Sequence, residues 1–492
     1  MKKLVSLFVI GFFLTIWSCE DLLDKAPLSE INSENYYTTE SDAEAAVFAC
    51  YEYLGGGAFN ESFGGVYHGI WITIHALASD EAINNDADIT KTDLQNFTHN
   101  PNNPHLYKVW RDMYRTIGAT NIAIEKIPLI ETSEDFTEAE RDGLTAEARF
   151  IRGLMYFELV RMFGDVPLVT RPVTSITEAN AVVKTPASSV YSELIIPDFQ
   201  YASMHLPAVW SGENTGRATK FSAFGFLGKA YLTLGRYQEA QTALSEVIAR
   251  SPDQFDLWDD YGDAFRIENN NGKESVFSIT HSLTSLFWES GQFNVRWLPI
   301  ELDKNSLEWE LPTENLYNSF DSLDRRKEIT FITSVDGEPI DPHISKYWSS
   351  DEEPDASSTA NDYQLLRYAD ILLMYAEAEN ELNGPTPVAH NFVNEVRRRA
   401  RYHADDNTTH DVLSDLSGLT QEQLRDSILM ERKREFAFEG QRWYDLVRAD
   451  RLVEKVSEAK PGTNVQEHHT LFPIPQRVIN ISTEEIVQNT GY

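Results

Sequence analysis

The sequence predicts a mostly α-helical protein, in which tetratricopeptide-like helical hairpins pack with an irregular, loop-rich region carrying a few short strands. Three observations predict it. The stretch FSAFGFLGKAYLTLGRYQEAQTALSEVIARSP, from Phe221 to Pro252, reads as two helices with a tight turn at Leu234-Gly235-Arg236. Within it Leu227-Gly228 is followed by Tyr231, then Ala240, Leu244 and Pro252, close to the spacing of a tetratricopeptide hairpin. Gly228 and Ala240 let two backbones approach, Tyr231 and Leu244 fill the groove, and Pro252 cannot continue a helix. One hairpin cannot bury its apolar face alone, so it needs stacked neighbours. The second observation is apolar recurrence at spacings of three and four over much of the chain. The third is a change of character over residues 253–360, where Gly, Asn, Asp, Ser and Trp rise.

A chain of 492 residues, 42% hydrophobic, can fill one large or two closely packed cores. Met1-Lys2-Lys3 opens basic, and Leu4 to Trp17 is an apolar run too short to span a bilayer. Ile16-Trp17-Ser18-Cys19 then resembles a lipoprotein box; the alternative is a plain secretory cleavage site. Residues 1–18 are thus expected to be a lipoprotein signal peptide. Cys19 would carry the lipid, anchoring the mature protein to a membrane that it does not span. Cys50 is then left without a partner cysteine, which excludes a disulfide and a cysteine metal site; it is expected to be a buried small hydrophobe. The formal charge of −35 becomes −37 when Lys2 and Lys3 are removed, which argues against nucleic acid and polyanionic ligands.

Taken in order, residues 20–40 read as an extended polar tether. Glu40 to Leu54 reads as a helix with Ala43, Val47, Cys50 and Leu54 on one face, broken by Gly55-Gly56-Gly57. VYHGIWITIHALA (Val66 to Ala78) is apolar and ends in Ser79-Asp80-Glu81. Residues 84–105, dense in Asn, Asp and Pro, read as loop. Tyr107 to Ile127 and Leu144 to Met162 read as helices, the second apolar on more than one side. Thr185 to Met204 carries another, followed by the Phe221–Pro252 hairpin. In 253–360, runs such as Ser275-Val276-Phe277-Ser278-Ile279 suggest brief strands. Helical pattern returns at Tyr363, with Leu365, Tyr368, Leu372, Tyr375 and Leu382 as a stripe. Asn383-Gly384-Pro385 turns the chain, and Val388 to Ala400 pairs back. Gln421 to Leu452 reads as two helices joined near Glu439-Gly440, and Leu471 to Pro475 as an extended tail packed on the helices. The organisation expected is a signal peptide (1–18), a helical N-terminal region (19–252) and a C-terminal region (253–492) with a loop-rich insertion (253–360).

Several segments together resemble the SusD/RagB lipoproteins. They are ILMERKREFAFEGQRWYDLVRADRL (Ile428 to Leu452), LLRYADILLMYAEAENELNG (Leu365 to Gly384), VNEVRRRA (Val393 to Ala400) and LFPIPQRVINISTEEIVQNTGY (Leu471 to Tyr492). AEARFIRGLMYFELVRMFGDVPLV (Ala146 to Val169) agrees, and Glu20-Asp21-Leu22-Leu23-Asp24 resembles the signal that sends Bacteroidetes lipoproteins to the cell surface. The resemblance implies a surface-exposed, lipid-anchored protein of the outer membrane. Such a protein binds a nutrient, typically an oligosaccharide, and passes it to a TonB-dependent, SusC-like transporter; a branch of the family serves peptide uptake. A helical-repeat scaffold that binds only protein is the alternative from another class. The motif residues Glu431, Arg434, Glu435, Arg442, Trp443 and Asp445 are expected to form ion pairs that hold the fold, and Arg397, Arg398 and Arg399 a solvated or paired face.

A sugar site needs exposed aromatic platforms and a rim of hydrogen-bonding groups, carried on loops of a rigid scaffold. Two regions fit. One is 84–107, with Phe97, Asn100, Asn102, Asn103, His105 and Tyr107. The other is SLFWESGQFNVRWLP (Ser285 to Pro299), with Phe287, Trp288, Gln292, Phe293, Asn294, Arg296 and Trp297. Trp309 and Tyr347-Trp348 are further candidates, whereas Trp71, Trp110 and Trp443 sit in apolar or helical runs and are expected in the core. No H-E-x-x-H, G-x-S-x-G, Walker loop or strand-linked G-x-G-x-x-G is present, so no enzyme, cofactor or metal site is expected. Asn85-Asp86-Ala87-Asp88 and Asp259-Asp260-Tyr261-Gly262-Asp263 could offer oxygen ligands to calcium but lack EF-hand spacing. His468-His469 reads as surface.

Overall fold

The computed structural model describes residues 37–56, 65–282, 291–348 and 359–492. The expected signal peptide, Cys19 and the tether to residue 36 lie outside these residues. So do Phe287 and Trp288.

The helices stack side by side in chain order. α1 (Glu40–Gly55) packs on α4 (Pro104–Lys126), and α4 on α5 (Glu138–Phe163). α5 packs on α6 (Ile196–His205), α6 on α7 (Lys220–Thr233), and α7 on α8 (Tyr237–Ile248). α8 then meets α10 (Tyr368–Asn383), which carries α11 (Pro387–Arg399) and α12 (Gln421–Glu435). Four more helices complete the frame used below: α2 (Ile70–Leu77), α3 (Ile89–Asn96), α9 (Phe293–Trp297) and α13 (Arg442–Arg448). Starts are marked locally. Thr137 and Glu140 form a reciprocal capping box on α5, as do Thr219 and Ser222 on α7 and Thr420 and Gln423 on α12. α5 is buried almost all round, which is why its apolar residues fall on more than one face.

The α7–α8 hairpin has the predicted form. Gly235 turns the chain at φ 68°, and a Cβ on Gly228 would lie 2.6 Å from Leu244 and 3.4 Å from the Ala240 carbonyl. Ala43, Val47, Cys50 and Leu54 are all buried, and burial pushes the Cys50 thiol up to about 12. Trp71, Trp110 and Trp443 are core residues.

The sheets among the described residues are all two-stranded. β1 (Ala82–Asn84) pairs with β3 (Glu310–Pro312), β2 (Ser275–Ile279) with β6 (Tyr363–Arg367), and β4 (Phe331–Val335) with β5 (Glu338–Ile344), each antiparallel. Two expectations are corrected here. Residues 363–367 form a strand, because every residue of YQLLR is buried and the backbone completes the β2 ladder; helix begins at Tyr368. Residues 89–96 form a helix inside the predicted loop, started by the Asp88 side chain, which accepts from the Thr90 N–H at 2.8 Å.

Beneath α12 lies an ionic core. Arg367 donates to Glu435 at 2.9 Å, to Glu439 at 2.8 and 2.9 Å, and to Glu274. Arg399 reaches Glu274 at 3.1 Å and also Glu435, and Arg326 joins Asp324, Glu431 and Glu435. Asp80, at the end of α2, accepts from Lys433 at 2.8 Å and from Arg442 at 2.7 and 3.0 Å. The motif charges therefore hold the fold. Arg397 and Arg398 pair with Glu431 and Asp415, so this face is paired rather than a basic site. Gly440, at φ 69°, lets the α12–α13 link pass against Trp71, whose ring a Cβ would enter. The tail packs as predicted: the Phe472 N–H donates to the Met162 carbonyl at 2.7 Å. No described helix is long and apolar enough to cross a membrane.

Candidate functional site

The two loop regions singled out in the sequence meet at Trp309. This half-buried indole follows the bend at Glu308, whose φ is +47°. The Trp309 N–H donates to the Arg296 carbonyl at 2.6 Å, and its own carbonyl accepts from the Asn85 N–H at 2.8 Å. Two cations press on the ring. The Lys91 ammonium, from α3, lies 3.3 Å from the centroid, and the Arg296 guanidinium, from α9, 4.8 Å. Lys91 is paired to Asp86 at 2.5 Å, and Arg296 donates to Gln292 at 3.1 Å. Gly69 has φ +134° and carries no Cβ where the Arg296 guanidinium passes.

The rim is polar. Asn85 is exposed and donates through its amide to the Glu308 carbonyl at 3.0 Å. Asp88 accepts from Thr90 and, at 2.8 Å, bonds His105. Burial raises its carboxyl, but the bonds from Thr90 and His105 outweigh that and hold it down at about 2. Asn103 caps α4, accepting from the His105 and Leu106 N–H groups and donating to the Thr90 carbonyl at 2.9 Å. Asn100 supports the preceding turn by accepting from the N–H of the exposed Asn102 at 2.9 Å.

Exposure corrects part of the sequence picture. Phe97 (1% exposed), Phe293 (1%), Asn294 (2%), Arg296 (8%) and Trp297 (3%) offer no open face to solvent. Phe97 takes the left-handed cap of α3 and packs on His469 at 5.2 Å. Phe293 stacks on Tyr347 at 4.9 Å, and Asn294 donates to the Tyr347 carbonyl at 3.2 Å. The Trp297 indole donates to Glu310 on β3 at 2.7 Å. The physical reason is α9. Five residues of helix turn both aromatics of FNVRW inward, Phe293 onto Tyr347 and Tyr363 and Trp297 onto Glu310 of β3, where sequence spacing alone allowed a loop. Tyr347 is also core, while Trp348 and Tyr107 are half-buried. These side chains position the loops; Trp309, Asn85, Asp86, Asn102 and His105 border solvent.

Two other sequence candidates resolve differently. Asp260 accepts from Arg325, the Gly262 N–H and the Ala404 N–H, so it serves as a cap and ion-pair partner. His469 is buried among Phe97, His99 and Tyr492 and not on the surface, because the C-terminal segment folds over it. Among the described residues no group of three or more His, Cys, Asp or Glu side chains is arranged to hold a metal ion.

Comparison with known proteins gives a consistent result. Residues 333–492 match the SusD family, and residues 61–232 match the family described as "Starch-binding associating with outer membrane". The chain is 27% identical to SusD-like protein P25 of Formosa agariphila over the whole of both chains. It is 24% identical to starch-binding protein SusD of Bacteroides thetaiotaomicron over 74% of this chain and 75% of that one. Among solved structures, a laminarin-binding SusD-like protein superposes with a TM-score of 0.75 at 26% identity, covering 93% of this chain and 100% of that chain.

Proposed function

We infer the function of this chain from the family to which it belongs: it is a SusD-like protein. We propose that it is a glycan-binding lipoprotein of the outer membrane. It is anchored at the cell surface through Cys19, holds an oligosaccharide, and delivers it to a TonB-dependent, SusC-like transporter without chemical change to the sugar. The observation that carries this reading is the Trp309 face. An indole held against Lys91 and Arg296 is a fixed aromatic platform, and Asn85, Asp86, Asn102 and His105 supply donors and acceptors for hydroxyls. Phe287 and Trp288 are proposed as further platforms, and Phe97, Phe293, Asn294, Arg296 and Trp297 as the residues that keep the loops in place.

Calorimetric titration against plant, host and microbial oligosaccharides tests the reading, with Trp309→Ala, Trp288→Ala and Trp297→Ala run in parallel. Saturable binding weakened about tenfold by Trp309→Ala, with the melting temperature retained, is the expected result. Silence across the panel, with binding of peptides instead, replaces the glycan by a peptide ligand. Loss of radiolabelled lipid in Cys19→Ala, and co-purification with a transporter of the expected class, check the anchor and the partner.

A further inference from the structure

A second face has the chemistry of a sugar site and lies apart from the two loop regions singled out in the sequence. Between the end of α1 and the loop that precedes α7 lies a cleft of about 360 Å3, lined by Phe48, Glu52, Glu213 and Arg217. A neighbouring cleft of about 290 Å3 is lined by Trp210 and shares Arg217 as its wall. The Arg217 guanidinium lies 5.1 Å from the Phe48 ring and 4.2 Å from the Trp210 ring, so aromatic, cation and aromatic form one row across both clefts.

The row is pre-set. Arg217 is 8% exposed and cannot swing out: it donates to Glu147 at 2.9 Å and to Asn214 at 2.7 Å. The Trp210 indole N–H donates to the Ala218 carbonyl at 2.8 Å. Gly216, at φ +97°, lets the loop close on the end of β2, where a Cβ would stand 2.7 Å from the Thr280 hydroxyl oxygen. Phe48 stays 46% exposed on a helix whose other face is fully packed. A rigid ring with an open face suits the C–H face of a pyranose, and the exposed carboxylates of Glu52 and Glu213 accept bonds from ring hydroxyls. In the first cleft these carboxylates repel acidic sugars, because the one cation of its wall, Arg217, is already committed to Glu147, while Lys273 lines the second cleft.

We propose that this double cleft is a second carbohydrate-contacting site, which takes a stretch of neutral sugar rings and rejects uronic acids at the Phe48 end, where Glu52 and Glu213 stand. The inference rests on the glycan reading above. It is tested on the full chain in detergent by calorimetry with laminarihexaose, cellohexaose, maltohexaose and hexagalacturonic acid, on wild type, Phe48→Ala, Glu213→Lys and Trp309→Ala. A neutral hexasaccharide should bind in two events. Phe48→Ala should weaken one of them about fivefold to tenfold, and Trp309→Ala the other. Glu213→Lys should let hexagalacturonic acid bind where wild type does not. Neutral binding that Phe48→Ala leaves unchanged overturns the second site and spares the glycan reading. Hexagalacturonic acid bound by wild type and displaced by Phe48→Ala overturns the charge rule. Absence of any neutral binding to wild type overturns both readings together.

Discussion

Arg367 and Arg296 are both buried arginines set among aromatic rings, yet the regions they organise are built differently. Under α12 the cations are answered by carboxylates: Arg367 by Glu274, Glu435 and Glu439, Arg399 by two of the same three. At the Trp309 face, Lys91 and Arg296 lie against an indole, and the amides and acids around it border water. The first arrangement spends its charges on long-range closure. The second leaves polar capacity at the surface for something else. Residue type does not separate fold from site in this protein; burial and partner do.

The largest test of that contrast removes a cation from the ionic core. Arg367→Ala takes one cation from three buried carboxylates, leaving Glu274 and Glu435 to Arg399 and Glu439 to Lys346, and should cost about 3–5 kcal/mol in denaturant unfolding. A loss under about 1 kcal/mol would erase the distinction between the regions. Gly440→Ala drives a methyl into Trp71 at a left-handed backbone position and should cost about 2–4 kcal/mol in the same assay.

Acid probes the core in a third way. Burial, partly offset by a bond to the Trp71 carbonyl, holds His75 down at about 3 from its ordinary 6.5. The folded state then stays neutral where the unfolded chain takes a proton. The contribution is therefore fully present above 6.5 and is lost as pH falls from 6.5 towards 3. Melting curves at about pH 7 and about pH 4.5 should differ by on the order of 2 kcal/mol from this group, and His75→Gln should flatten the slope. On the other region, Lys91→Met removes one cation from Trp309 and its pair with Asp86. It should cost about 1 kcal/mol of stability while weakening oligosaccharide binding, a split that no core substitution should show. The smallest effect belongs to Arg398→Ala. This exposed pair with Asp415 should change stability by at most about 0.5 kcal/mol, next door to the buried Arg399.

The sequence carried the hairpin well, because Gly228, Ala240 and Leu244 meet in one close contact that fixes their spacing. It misread YQLLR as helix, since a strand buried on both faces has no alternation to reveal it. The charged C-terminal motif was legible as structure because its acids and bases alternate at helical spacing. The site was legible as two regions and less so as residues. Phe293 and Trp297 look like loop aromatics until α9 turns them inward, whereas Trp309, just before β3, stays half-buried. Phe48 gave one unused signal: it is a large apolar residue of α1 on the side that Ala43, Val47 and Cys50 do not use.

Asp80 sets a schedule. Its partner Arg442 lies 362 residues further along, and Lys433 lies 353. At 5–20 residues per second a ribosome needs roughly 18–72 s to deliver that partner after Asp80 has been made. Until then the carboxylate at the end of α2 lacks the two cations it is buried against in the folded protein. The closure of this end of α2 on the C-terminal motif is therefore a late event of synthesis.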